Sequence, residues 1–188
     1  MLIKSISTLL LTTAFLFLAA CSQQEEATTA VAEAQVPDQT QQEQRAAARA
    51  ARMALSEATE FNMEPLLDPN AATQEQLSAV AGLSADQVQA IIGGRPFATA
   101  SQLHAAIGEN MSDAEMFDVY SAVFVKVNLN GGDSADFMLV PTTLAPDHIA
   151  REFVEYRPYA DLGDFSPEMR KYVSEKEVAF LERFVIID

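Results

Sequence analysis

Residues 70–125 of this chain are read a second time. "NAATQEQLSAVAGLSADQVQAIIGGRPFATASQLHAAIGENMSDAEMFDVYSAVFV" aligns with "NGGDSADFMLVPTTLAPDHIAREFVEYRPYADLGDFSPEMRKYVSEKEVAFLERFVI". Leu77 falls on Phe137, Val80 on Val140 and Leu83 on Leu144. The second copy gains two residues in its middle, so that Arg95-Pro96-Phe97 falls on Arg157-Pro158-Tyr159 and Ser112–Glu115 on Ser174–Glu177. An internal duplication means one structural unit used twice. In a chain of 188 residues it predicts two small modules, assigned here to residues 61–127 and 128–188.

Each unit reads as short helices. Thr73…Gln76, Ser84…Gln87, Ser112…Glu115 and Ser174…Glu177 place a hydroxyl three residues before Glu or Gln. In such a capping box the hydroxyl accepts an orphan N–H of the first turn, and the longer side chain reaches back to the cap's own N–H. Apolar spacing agrees. Leu77, Val80 and Ala81 share a face, as do Val88, Ile91 and Ile92; Met116, Val119, Tyr120, Val123 and Phe124 run i, i+3, i+4, i+7, i+8. Pro96 and Pro158 end the helix before them and push Arg95 and Arg157 toward extended backbone. The fold class expected is all-α.

The start of the chain belongs to neither module. "MLIKSISTLLLTTAFLFLAAC" carries one cation, Lys4, then an apolar run too short to span a bilayer, in the form of a secretory signal. It ends Leu18-Ala19-Ala20-Cys21, which resembles a bacterial lipobox; the alternative is an ordinary signal peptide that happens to end near a cysteine. The lipobox reading makes residues 1–20 a leader and Cys21 the lipidated N-terminus, held on a bilayer by more than one acyl chain. Ser22 follows Cys21 where an aspartate would signal inner-membrane retention, so lipoprotein sorting rules imply the periplasmic face of an outer membrane. Cys21 is the sole cysteine, which excludes a disulfide within the chain and any thiolate metal cluster. Residues 21–41 lack aromatics and read as a disordered tether. A helical linker of residues 42–60 follows, its helix expected at 42–58, with Arg45, Arg49 and Arg52 on one face. That stripe is either a solvated surface or a contact with anionic lipid.

Two short helices joined by a tight hairpin, preceded by Asn and followed by "RPF…S..L", resemble the helix-hairpin-helix domain of the competence DNA-receptor type. The resemblance covers residues 70–107 and, less closely, 130–165, and the later helix pair of each copy resembles the family's second hairpin. It implies a hairpin reading Gly-hydrophobic-Gly, whose backbone N–H groups approach a DNA phosphate. A similar domain without a DNA role occurs in an extrinsic protein of photosystem II. On this pattern the phosphate or partner contacts would be Gly82, Leu83 and Ser84, with Arg95, Arg157, Arg170 and Lys171 as cations. The first hairpin keeps one glycine; the second, Thr142-Thr143-Leu144-Ala145, has none. Asp86 and Asp147 stand in the first turn of the next helix, where they favour the helix dipole themselves and repel an incoming anion.

Charge points the same way. The chain has 12 Lys and Arg against 27 Asp and Glu, a net −15 that becomes −16 once Lys4 leaves with the leader. Such a protein repels polyanions at long range. Arg170 and Lys171 lie among Glu168, Glu175 and Glu177, a salt-bridged surface by expectation. Arg95 and Arg157 are left between pairing with acids and meeting a ligand. His104 and His148 lack a second ligand at metal spacing, no carboxylate stands out in an apolar run, and no nucleophile or phosphate-loop motif appears. The expectation is a protein without catalytic residues, metal or cofactor: a periplasmic scaffold or adaptor for another envelope protein, membrane-held through its lipid. The alternative is a DNA-holding or DNA-uptake lipoprotein, which the net charge disfavours.

Overall fold

The computed structural model describes residues 39–188. The expected leader, Cys21 and the tether as far as residue 38 lie outside the described residues. What is described is helical: α1 (Gln39–Ala58), α2 (Gln74–Ser78), α3 (Ala85–Gly94), α4 (Ala100–Ile107), α5 (Asp113–Tyr120), α6 (Ser134–Phe137), α7 (Pro146–Glu155), α8 (Leu162–Met169) and α9 (Glu175–Leu181). Two residues at β1 (Val127–Asn128) pair in parallel with β2 (Val185–Ile186). The class is all-α. None of the described helices is long and apolar enough to cross a membrane.

Local chemistry accounts for the helix starts. Thr73, Ser84 and Ser112 form complete capping boxes with Gln76, Gln87 and Glu115. Helix α7 begins instead on Pro146, whose ring presets the helical φ and whose missing N–H would have had no partner there. α1 is already helical at Gln39, the first described residue and three before the expected start. α5 stops at Tyr120, short of the apolar run to Phe124. There the backbone turns to meet Leu67, whose N–H donates to Ala122 O (2.8 Å) and whose carbonyl accepts from Phe124 N–H (3.2 Å). A long-range pairing thus overrides the helical period.

The same bond frame occurs in both halves. Asn70 Nδ2 donates to Phe97 O at 2.9 Å and its Oδ1 accepts Phe97 N–H at 2.7 Å. Asn130 does the same with Tyr159, at 2.9 and 2.8 Å. Arg95 donates through Nε to Pro69 O (2.5 Å) and through Nη2 to Ala72 O (2.6 Å); Arg157 donates to Leu129 O (2.5 Å) and Gly132 O (2.6 Å). The two guanidiniums therefore bond backbone carbonyls rather than the acids that were one of the alternatives the sequence left, the other being a ligand. They staple the segment before each half's first helix to the end of its second, and both Arg-Pro bonds are cis. Each half also closes on itself by parallel pairing, Leu67 with Val123 in the first and Val127 with Val185 in the second.

One contiguous core runs through both halves. Where the first half buries Leu77 and Leu103, the second buries Phe137 and Phe165, which meet Phe153 edge to face at centroid distances of 5.2 and 5.1 Å. The halves join where α4 packs on α6. Asp136, 5% exposed, accepts from Ser101 N–H (2.8 Å) and Ser101 Oγ (2.6 Å), so a carboxylate from the second half caps the first turn of α4. α1 touches this body at its C-terminal end. Residues 39–51 are exposed throughout, whereas Ser56 is wholly buried against the start of α9.

Candidate functional site

The two hairpins between the first and second helix of each half are the candidate site, and they differ. In the first, Gly82 adopts φ +88, the left-handed region that glycine enters without steric cost. A Cβ there would stand 3.1 Å from Val119 Cγ2. Leu83 is half-buried and Ser84 exposed. Ser84 N–H does not point free: it donates to Gln87 Oε1 at 2.9 Å, and Gln87 Nε2 goes on to Ile107 O at 2.9 Å. Gly82 and Ser84 border an open depression of about 520 Å³ whose lining carries Asp86, Glu109 and Glu115 and no lysine or arginine. Accepting the Ser112 backbone N–H and then its hydroxyl holds Glu115 below the usual carboxylate range. The depression is thus anionic at neutral pH.

The second hairpin has no glycine, and three of its donors are already taken by one carboxylate. Glu177 is wholly buried. Its Oε1 accepts from Thr142 Oγ1 (2.6 Å) and from Thr143 N–H (2.7 Å), and its Oε2 accepts from Thr143 Oγ1 (2.6 Å). One carboxylate collects three donors from the hairpin, the role an external anion would fill. Sequence reasoning missed this residue, because it placed Glu177 in a local capping box and among solvated acids. The spacing rule is blind to a partner 34 residues away.

The cations are dispersed. Arg95 and Arg157 cap the far ends of α3 and α7 and are used by the backbone frame; Arg157 also lies over the Phe137 ring at 5.1 Å. Arg170 Nε meets Glu175 at 2.8 Å, both side chains largely exposed. Lys171 pairs with Glu168 and sits 4.8 Å above the Tyr156 ring, and the hydrogen bond to Glu168 raises its pKa. Gly82, Leu83 and Ser84 therefore come together with acids rather than with the four cations. Asp86 and Asp147 stand exposed in the first turns of α3 and α7.

Two further buried carboxylates went unforeseen. Asp136 joins the halves, as described above. Glu152, 4% exposed, occupies the α7 position matching Ile91 of α3; one oxygen meets His148 Nε2 and Arg151 Nη2, each at 3.2 Å. His104 Nδ1 bonds Tyr120 Oη at 2.7 Å, and the matching positions in the second half are bridged by Ser166 Oγ and Glu182 Oε1 at 2.5 Å. His104 thus ties α4 to α5, while His148 bonds within α7 and meets the Tyr172 ring edge to face at 5.2 Å. Among the described residues no group of three or more His, Cys, Asp or Glu side chains is placed to hold a metal ion.

A shallow apolar cleft of about 210 Å³ lies between the halves, lined by Met116, Phe117 and Tyr120 of α5 and by Met138, Pro141 and Leu144 of the second hairpin region. Met138 is 43% exposed at its edge. Comparisons of the chain with protein-family models, with curated proteins and with solved structures find no match.

Proposed function

We propose that the protein is a non-enzymatic periplasmic lipoprotein whose duplicated helix-hairpin-helix unit serves as a scaffold or adaptor for another envelope protein. The observation that carries this reading is the state of the hairpins. The bond frame made by Asn70, Arg95, Asn130 and Arg157 recurs intact. Meanwhile three donors of the second hairpin are spent on Glu177, and the first opens on three carboxylates. A phosphate at either place would meet a fixed negative charge, worth on the order of 1 kcal/mol or more of repulsion at about 5 Å and surface dielectric. The skeleton of a polyanion binder is kept while its anion contacts are blocked from within. The apolar cleft edged by Met138 is the face offered to a protein partner.

The alternative is retention of DNA through Gly82 and the Arg170-Lys171 turn, and one experiment separates the two. A photo-cross-linker at Met138 should trap a partner in intact envelopes, and the purified chain should leave duplex DNA unshifted at low ionic strength. Duplex binding that falls steeply with salt and weakens in Arg170→Ala/Lys171→Ala would replace the adaptor reading with the DNA one. Anchoring is tested separately: Cys21→Ser should leave the product soluble or unprocessed, and a normally processed, membrane-bound variant refutes the lipid anchor.

A further inference from the structure

The two halves contain the same capping box in two different states, and the difference traces to α1. In the first half the box is closed: Ser112 N–H and Ser112 Oγ both donate to Glu115 Oε2 at 2.7 Å, while Glu115 N–H returns to Ser112 Oγ at 3.3 Å. In the second half the return bond persists, Glu177 N–H to Ser174 Oγ at 3.3 Å. The other half of the exchange has changed hands. Ser174 N–H donates to Ser56 Oγ at 2.8 Å, and Ser56 Oγ donates to Ser174 Oγ at 2.8 Å. The hydroxyl of α1 stands where the carboxylate stands in the first half. Glu177, released from Ser174, reaches the second hairpin and gathers Thr142 and Thr143.

We infer that α1 is a latch: seating Ser56 on Ser174 sends the Glu177 carboxylate to lock the second hairpin, and lifting α1 returns it to Ser174 and opens the hairpin. With Ser56 lifted, Ser174 N–H needs another acceptor, and the carboxylate three residues on is the one that serves the matching serine in the first half. In the seated state the Glu177 carboxylate accepts from the hairpin while Ser56 accepts from Ser174, so on this inference the seat of α1 and the order of the hairpin bias each other.

The seat is local and separable. Ser56 is the one buried residue of α1; beside it Lys176 Nζ donates to Glu57 O at 2.8 Å, and residues 39–51 are exposed. Whatever grips the exposed part therefore acts on the hairpin, and on the cleft that Thr142 and Leu144 line, through a single hydroxyl. This mechanism stands independently of the adaptor reading.

Residue-resolved amide exchange on the full mature chain tests it. In Ser56→Ala, Thr143 N–H should exchange about tenfold faster, as its acceptor leaves. Ser174 N–H should stay protected, because Glu177 now accepts it. Loss of protection at Ser174 with Thr143 unchanged, or at both together, overturns the latch, since either means that the carboxylate did not move across. Should Ser56→Ala fail to fold, the reverse experiment decides. Thr142→Val/Thr143→Val removes two of the three donors that Glu177 accepts from and should return Glu177 to Ser174, displacing Ser56. The amides of residues 53–58 should then exchange about tenfold faster. Unchanged protection of those amides refutes the coupling.

Discussion

Replacing Arg157 by Met tests whether the backbone staple stabilises the fold as its geometry implies. The substitution keeps the aliphatic stem and removes two guanidinium bonds, to Leu129 O (2.5 Å) and Gly132 O (2.6 Å), together with the cation 5.1 Å from the Phe137 ring. Hydrogen bonds from a charged donor contribute about 1.5–3 kcal/mol each, and a cation over a ring about 0.5–1 kcal/mol. Arg157 is half-buried, so water replaces part of what is lost, and the expected loss is about 3 kcal/mol. Arg95→Met removes the matching bonds to Pro69 O and Ala72 O, but Leu77 stands where Phe137 does and offers no ring face. Its expected loss is about 2 kcal/mol. Urea unfolding followed by far-ultraviolet circular dichroism measures both, with an unchanged denaturant slope as the check that only stability has moved. Thermal midpoints should fall by roughly 2–4 °C per kcal/mol for a chain of this size. Losses below about 1 kcal/mol in both variants, or a larger loss for Arg95→Met, would refute the staple as a principal contributor.

Other substitutions probe the remaining contacts. Gly82→Ala forces a Cβ into the left-handed region 3.1 Å from Val119 Cγ2 and should destabilise by about 1–2 kcal/mol; wild-type stability would mean that the hairpin relaxes freely. Asp136→Ala leaves Ser101 N–H and its hydroxyl without their acceptor and should cost about 2 kcal/mol, with faster exchange at the first turn of α4 as the local readout. Burial pushes the phenols of Tyr120 and Tyr159 up to about 12, so both stay protonated in the folded chain where the unfolded chain has begun to ionise. The stability they contribute is whole below pH 10 and is lost as the pH climbs toward about 12; a urea midpoint flat across that window would contradict their burial.

Legibility from sequence followed the range of the interaction. The boxes at Thr73, Ser84 and Ser112 could be read because donor and acceptor lie three residues apart, and nothing farther away competes. Ser174…Glu177 has the same letters and a different outcome, since Ser56 arrives from 118 residues away and takes the N–H. Asp136 and Glu152 carried no signal, because no local pattern distinguishes a carboxylate that will meet Ser101 or His148 in the folded chain. The Arg-Pro echo had a signal that was available: each follows an Asn by similar spacing, and a polar pair repeated in both copies is more economically a frame than a site.

From the order of residues alone came the doubling, the helical class, most helix starts and the loss of glycine from the second hairpin. These depend on neighbours along the chain, whose geometry is set by backbone torsions and side-chain reach. The fate of each buried charge was settled only by tertiary packing. A carboxylate's partner depends on which groups desolvation brings together, and a single hydroxyl from α1 suffices to send Glu177 to the second hairpin, while its counterpart Glu115 stays at the rim of an acidic depression.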